Sequence, residues 1–424
     1  MRHMTFRERQ YRRTRLNCVR HITLDPKGPG VVRIHMIPPR DEMPDAPFLL
    51  LLNGARLVPL NLSWAILLSA LMDQLLVYEG QELDESRWEA LMSAAVEQAH
   101  RVYPRTRRLT LAADLHRMLT SLIAIAQGRE PEEEVGLLTL GEYAPEMTAP
   151  HRMDLMVSAM EQDGAWHCNQ KCLHCYAAGQ LMGETPELST EAWKTVLDTL
   201  RKAHIPQVTF TGGEPTLRRD LVELVGAAEW FVTRLNTNGR LLTPELCAGL
   251  YEASLDSVQV TLYSAEGNIH NQLVGVNGFC DTVQGIRNAV AAGLIPSGSA
   301  CGQESRATAL TPEQLTDILR QAVDTAEELG MELDFTSPGW LDEETLRGLG
   351  LSLIPSCGAC LSNMAVTPDG KVVPCQSWLS DEPLGDLLHD DWADIWNSPR
   401  CAAIRAESAK LEHLCQLKGK EAVK

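Results

Sequence analysis

Eight of the twelve cysteines in this 424-residue chain fall into two groups, and that clustering constrains the fold more than any other feature. Cys168, Cys172 and Cys175 make a CxxxCxxC triplet, and Cys357, Cys360, Cys375, Cys401 and Cys415 make a looser second set. In a small secreted protein so many cysteines read as disulfides; in a chain of this length they read as metal or redox chemistry. A loop that presents three thiols needs a rigid support, so the elements around it matter first.

From Met153 onward strand-like and helix-like patterns alternate. Strands are predicted at Asp154–Met160, Gln207–Thr211, Phe231–Asn236, Ser257–Tyr263 and Glu332–Thr336. Helices are predicted at Thr190–Ala203, Arg219–Trp230, Pro244–Ala253, Asp281–Ala292 and Pro312–Leu329. This α/β alternation implies a parallel sheet with right-handed crossovers, an open or partial barrel whose site lies at the C-terminal strand ends. Between Gly293 and Thr311 the pattern weakens: Leu294–Ala300 holds Pro296, Gly298 and two serines, so a fifth strand is degenerate or missing. Cys301, Glu304 and Arg306 occupy that stretch and would sit near the barrel mouth.

The N-terminal part reads differently. Val31–Ile37, Phe48–Leu52 and Ala55–Leu60 are strand-like, with an Asn53-Gly54 hairpin signal. Helical patterns follow at Ser63–Leu75, Asp84–Ala99 and Thr110–Gln127, which makes an α+β module. Four units are expected: residues 1–105, a helix and linker over 106–150, the barrel over 151–345, and a small cysteine-rich unit over 346–424. A net charge of −18 argues against a general nucleic-acid binder. Arg12, Arg13 and Arg15, with Arg2, Arg7, Arg9 and Arg20, read as a solvated arm or a contact for an acidic partner. No stretch approaches the roughly 18 apolar residues that cross a bilayer, and the N-terminus lacks a signal-peptide core, so a cytoplasmic protein without membrane attachment is expected.

The triplet supplies three thiolates from one loop, each able to take one corner of a four-iron cluster and leave the fourth iron open. An open metal position is what lets a cofactor or substrate bind there. A closed electron-transfer cluster would need a fourth cysteine, and none lies between Cys175 and Cys247. A zinc knot is the bland alternative. One strand later, Gly212-Gly213-Glu214-Pro215 offers close backbone approach and a carboxylate for an amino group.

CxxxCxxC after a first strand, with GGEP closing the second, resembles the radical S-adenosylmethionine (SAM) superfamily and its partial (β/α)₆ barrel. The resemblance implies a SAM-binding four-iron cluster on Cys168, Cys172 and Cys175. It implies that Gly212, Gly213, Glu214 and Pro215 hold the methionyl amino group of SAM. Tyr176 follows the last cysteine, and His174 fills the slot whose backbone touches adenine in the family; Asn236, Thr237 and Asn238 resemble a stretch that lines the SAM pocket. Thr261, Tyr263 and Ser264 fall where relatives bond the ribose or carboxylate, with turn formation as the alternative. His270 fits a family loop or a structural histidine. Cys357-Gly-Ala-Cys360, the gap to Gly370, Cys375 and the Leu384–Leu387…Ile395-Trp396 stretch resemble an auxiliary-cluster SPASM or twitch domain. Its fourth ligand is Cys415 or Cys401, with Cys415 preferred, and zinc on the same cysteines is the runner-up. Because the chain stops soon after Cys415, a single auxiliary cluster is expected.

These resemblances imply an enzyme that cleaves SAM to a 5′-deoxyadenosyl radical and abstracts hydrogen from a substrate. The hairpin module loosely resembles a PqqD-like element that binds a leader peptide at a sheet edge. The expected substrate is therefore a ribosomally made peptide, matured by a thioether or C–C crosslink. The expected partners are that precursor and a flavodoxin or ferredoxin-type electron donor. The alternatives are a tetrapyrrole- or cofactor-modifying enzyme, a sulfatase-type protein oxidiser, or a cluster-bearing binding protein that no longer cleaves SAM.

Overall fold

A computed structural model describes residues 4–24, 32–39, 47–53, 56–78, 83–127, 129–131, 135–138, 142, 147–173, 175–299, 311–329, 333, 341–351, 357–411 and 415–417. The chain divides into two compact units, Met1–Met147 and Thr148–Lys424.

In the first unit the arginine-rich start is a helix, α1 (Phe6–Arg15), where a solvated arm was expected. Its capping box explains why it forms: Glu8 N donates to Thr5 Oγ1 at 3.2 Å and Thr5 N to Glu8 Oε2 at 2.7 Å. Arg12, Arg13 and Arg15 in its last turn complement the helix dipole. Strands β1 (Arg20–Leu24), β2 (Val32–Ile37), β3 (Phe48–Leu52) and β4 (Arg56–Leu60) form an antiparallel sheet in that order. The hairpin turns at Asn53, whose φ of 48° is left-handed and whose Oδ1 accepts Arg33 N at 2.7 Å. Helices α2 (Leu62–Leu75), α3 (Glu85–Val102) and α4 (Arg108–Ala126) complete one core with Ile34, Leu50, Leu52 and Val58. α4 lies in the segment expected as a helix and linker, but its Leu115, Met118 and Leu122 are fully buried in this same core. Among the described residues it is the one helix long and apolar enough, by length and composition, to cross a membrane, an exception to the sequence expectation.

The second unit opens with β5 (Arg152–Ser158), then a hairpin of β6 (Glu161–Gln162) and β7 (Ala165–Trp166) that the sequence reading missed. The repeating part follows: α5 (Thr190–Lys202), β8 (Gln207–Gly212), α6 (Leu221–Ala227), β9 (Val232–Thr237), α7 (Pro244–Glu252), β10 (Ser257–Thr261), α8 (Gly267–Val274), α9 (Phe279–Ala291), β11 (Ile295–Ser299) and α10 (Pro312–Leu329). After α11 (Glu343–Gly348) come β12 (Asn363–Val366), β13 (Lys371–Val373), β14 (Gly385–Asp386), α12 (Trp392–Asn397) and α13 (Pro399–Ser408). One sheet holds eight of these strands in the order β11-β10-β9-β8-β5-β12-β13-β14. The first six pair in parallel and the last two antiparallel.

Two findings refine the expected architecture. The fifth strand exists in degenerate form: β11 pairs in parallel with β10 despite Pro296 opposite Val258 and Gly298 opposite Val260. The cysteine-rich region is not a separate layer. Its β12 pairs directly with β5, Ala365 opposite Asp154, so the barrel sheet continues into it. The predicted strand at Glu332–Thr336 and the candidates Cys301, Glu304 and Arg306 lie outside the described residues.

Alternation along the sheet sorts its faces. Met153, Leu155, Val157, Val208, Phe210, Leu235, Val258 and Val260 are all buried on one side. The other side carries Asp154 and Met156 on β5, Thr209 and Thr211 on β8, Arg234 and Asn236 on β9, and Ser257, Gln259 and Thr261 on β10. Met156 packs with Cys168, Cys175 and Tyr176, so the polar face is the one beneath the cysteine loop.

Candidate cluster and cofactor site

The loop after β7 carries all three cysteines and is fastened at several points. His167 N donates to Met160 O at 2.8 Å, Lys171 N to Val274 O at 3.0 Å and Leu173 N to Leu273 O at 2.9 Å. The last two bonds hold the loop on the end of α8. Trp166 Nε1 donates to Gln170 O at 2.7 Å, and the Lys171 ammonium lies 5.5 Å from the Trp166 ring centroid. The Cys168 thiol donates to Gly213 O at 3.3 Å, which ties the first cysteine to the GGEP turn. Below the loop, Arg218 Nη1 donates to Val157 O and Leu188 O and meets Glu187, whose other oxygen accepts Ala159 N. Sequence reasoning missed this bracket because no motif marks it.

Burial pushes the Cys168 thiol up to about 12 and Cys172 up to about 11, and raises Cys175 as well. Without metal these thiols hold their protons near neutrality, so iron binding must displace them. Three thiols along one loop can each take a separate corner of a multi-iron cluster.

The GGEP turn is built by close strand contact. Gly212 has φ of +132°, and a Cβ there would lie 2.1 Å from Ser158 O; a Cβ on Gly213 would lie 2.4 Å from Ala159 O. Only glycine lets β8 approach β5 this closely. Glu214 is 1% exposed, and its carboxylate is the hub of the site. Oε1 accepts Thr216 N at 3.0 Å, Thr216 Oγ1 at 2.5 Å and Thr237 Oγ1 at 2.6 Å, while Oε2 accepts Asn238 N at 2.8 Å. Burial raises the Glu214 pKa, and the four donors pull it back toward the carboxylate. Asn238 Nδ2 in turn donates to Asn169 Oδ1 at 2.6 Å, and Arg240 Nη1 to Asn169 O at 2.6 Å. Glu214, Thr237 and Asn238 therefore lock β8 and β9 to the cysteine loop. Asn169 and Arg240 were not foreseen.

Other expected residues divide. Pro215 is buried at the first position of a 3₁₀ turn, Pro215–Leu217. Tyr176 lies in the apolar patch with Cys168 and Cys175. Asn236 and Thr261 sit half-buried on the polar face. Ser264 Oγ accepts Glu266 N at 3.0 Å, the turn-forming alternative weighed for it. Tyr263 hydrogen-bonds the Cys172 thiol through its side chain, and its backbone N donates to His270 Nδ1 at 3.3 Å. His270 is fully buried at the start of α8, where a loop was expected. His174 lies outside the described residues.

In the C-terminal region β12 and β13 form the predicted hairpin, with Gly370 at φ of +90°. It brings five cysteines into one neighbourhood. Cys415 hydrogen-bonds Cys357 and lowers its pKa. Cys360 and Cys401 form a second pair in which Cys401 is pulled down and Cys360 up. Cys375 is pushed up to about 12 by burial and feels the charge of Cys357 and of Asp154. Cys401 fills the inward apolar position expected on α13 and also meets Cys360, while Cys415 meets Cys357.

Three thiols in a loop over the C-terminal strand ends, a glycine-built seam and a buried carboxylate fit a four-iron cluster with SAM. They define a cofactor-dependent α/β barrel protein. The radical SAM superfamily model matches residues 167–302, and an iron–sulfur cluster-binding SPASM model matches residues 357–417. A radical SAM domain over residues 167–302 and a SPASM domain over residues 357–417 together imply SAM and four-iron clusters. A "Probable GTP 3′,8-cyclase" of Methanopyrus kandleri is 33% identical over 192 residues, 43% of this chain and 60% of that protein. One from Saccharolobus solfataricus is 36% identical over 132 residues, 30% of this chain and 42% of that protein. The chain thus spans less than two thirds of these relatives. The crystal structure of Streptococcus suis SuiB bound to precursor peptide SuiA is 15% identical, with a TM-score of 0.52 over 85% of this chain and 88% of that one. That likeness concerns the fold.

Proposed function

We propose that the chain reductively cleaves SAM and uses the radical to abstract hydrogen from a substrate carbon. The observation that carries this reading is the Glu214 carboxylate, buried, bonded to Thr237 and Asn238, and joined through Asn169 to the cysteine loop. Bound there, the cluster and SAM supply the electron and the 5′-deoxyadenosyl radical. The residues of the chain hold and shield them. Cys168, Cys172 and Cys175 take three irons, and Glu214 with the glycine backbone receives the SAM amino group. Tyr263 fixes Cys172. The second cysteine group holds one auxiliary four-iron cluster, and a flavodoxin or ferredoxin-type protein delivers the electron.

The substrate proposed is a ribosomally made peptide whose leader adds to an edge of the N-terminal sheet. β1 and β4 are the edges of that four-stranded sheet, and a peptide strand can complete such an edge. The cyclase names of the barrel relatives favour a second reading, modification of a cofactor precursor.

Anaerobic reconstitution followed by reduction should release 5′-deoxyadenosine, slowly without substrate. Glu214→Gln keeps the side-chain shape, removes the charge and should weaken SAM binding roughly ten- to hundredfold, the worth of a charge-assisted hydrogen bond, with iron content unchanged. A fully loaded wild type that never cleaves SAM would sink the reading.

A further inference from the structure

The polar face of the sheet holds one row that the chemistry above does not use. Asp154 on β5, Thr209 on β8, Arg234 on β9 and Ser257 on β10 are register partners across four parallel strands. Arg234 is half-buried and makes no hydrogen bond or ion pair among the described residues. Arg152 takes Asp154, with its Nε 2.9 Å from Oδ1 and Nη2 donating to Oδ2 at 3.3 Å, so the Arg234 guanidinium feels the charges of Asp154 and Asp256 without a hydrogen bond to either. Thr209 Oγ1 and, one step down the same face, Gln207 Nε2 are buried polar atoms without a partner. Buried donors of this kind cost free energy unless something accepts from them. The unpaired groups on β8 and β9 can all donate, a guanidinium fork, an amide N–H and a hydroxyl, while on β5 the Asp154 Oδ1 opposite Thr209 accepts no hydrogen bond.

We propose that Arg234, Thr209 and Gln207 form an oxyanion subsite that receives a carboxylate or phosphate of the substrate inside the barrel. This deepens the radical SAM reading and rests on it for the word substrate. The placement supports it twice. Two residues up the same strands, Met156, Thr211, Asn236 and Gln259 separate the row from the cysteine loop, so a group anchored at Arg234 leaves the rest of the molecule beneath that loop. Toward β12, Asp154 lies close enough to Cys375 to perturb it, so the row also borders the second cysteine group. A planar oxyanion suits the Arg234 fork, which can give two parallel N–H bonds.

The test is anion binding by the full chain, reconstituted anaerobically, with thermal unfolding as readout and ionic strength held by chloride. Sodium acetate and inorganic phosphate are titrated separately, with acetamide as the neutral control. The wild type should show a saturable rise in Tm with at least one anion and none with acetamide. The stronger arm names the source, carboxylate or phosphate. Arg234→Gln should abolish the rise, Arg234→Lys should weaken it, and Thr209→Val should raise the half-saturating concentration roughly tenfold, the worth of about one hydrogen bond. Matched iron content and circular dichroism check that the variants fold. If Arg234→Gln does not fold, the lysine and valine variants decide. The proposal is overturned if wild type responds to neither anion, or if the variants respond as it does. None of these measurements involves SAM cleavage, so failure here and failure of the radical reading are separate results.

Discussion

At the scale of single residues, the cysteines carry the sharpest expectation. Wild type should bind about eight irons after anaerobic reconstitution, four per four-iron cluster. Replacing Cys168, Cys172 and Cys175 together with alanine should leave about four. Cys415→Ser should remove iron from the auxiliary site, whereas Cys401→Ser should keep it and lower stability, because Cys401 is fully buried against Cys360 and 3.6 Å from Arg405 Nη1. Iron loss on Cys401→Ser with full iron on Cys415→Ser would reverse the assignment. The motif residues were legible in the sequence because their spacing encodes ligand geometry. Asn169, Arg240, Arg218 and Glu187 were not, since each acts across 28 to 71 positions through a hydrogen bond that no local pattern records.

Among elements, the sequence foretold the hairpin β3–β4 and the four barrel strands β5, β8, β9 and β10 within a few residues, because apolar alternation and turn residues are local signals. It missed β1, whose Arg20-His21-Ile22-Thr23-Leu24 pattern is too polar to read as a strand. There His21 faces His35 across the β1–β2 pair, ring centroids 4.4 Å apart, and burial with Arg33 nearby lowers His21 to about 3. An unfolded histidine titrates near 6.5, so the unfolded chain binds the extra proton first. Stability of the first unit should fall as pH drops from about 6.5 toward 3, on the order of 1.4 kcal/mol per pH unit from this group. Acid unfolding followed by circular dichroism checks it. His21→Leu should flatten the slope across that window, and an unchanged slope would reject His21 as the source.

For the whole molecule, the boundary of the first unit changes how its role is tested. A cut after residue 105 would strip α4 from its core partners, leaving Leu115, Met118 and Leu122 without the surface they bury against. The cut belongs after Met147. A chain lacking residues 1–147 should still release 5′-deoxyadenosine while losing modification of a leader-bearing precursor. Equal activity of the truncated and full chains on that precursor would dismiss leader recognition by this unit. The β5–β12 pairing has a consequence of another kind. The segments carrying the two cysteine groups flank neighbouring strands of one hydrogen-bonded sheet, so the spacing of those strands is set by backbone register and not by the drift of a hinge. If both groups hold clusters, an electron passing between them would cross the same span at every turnover.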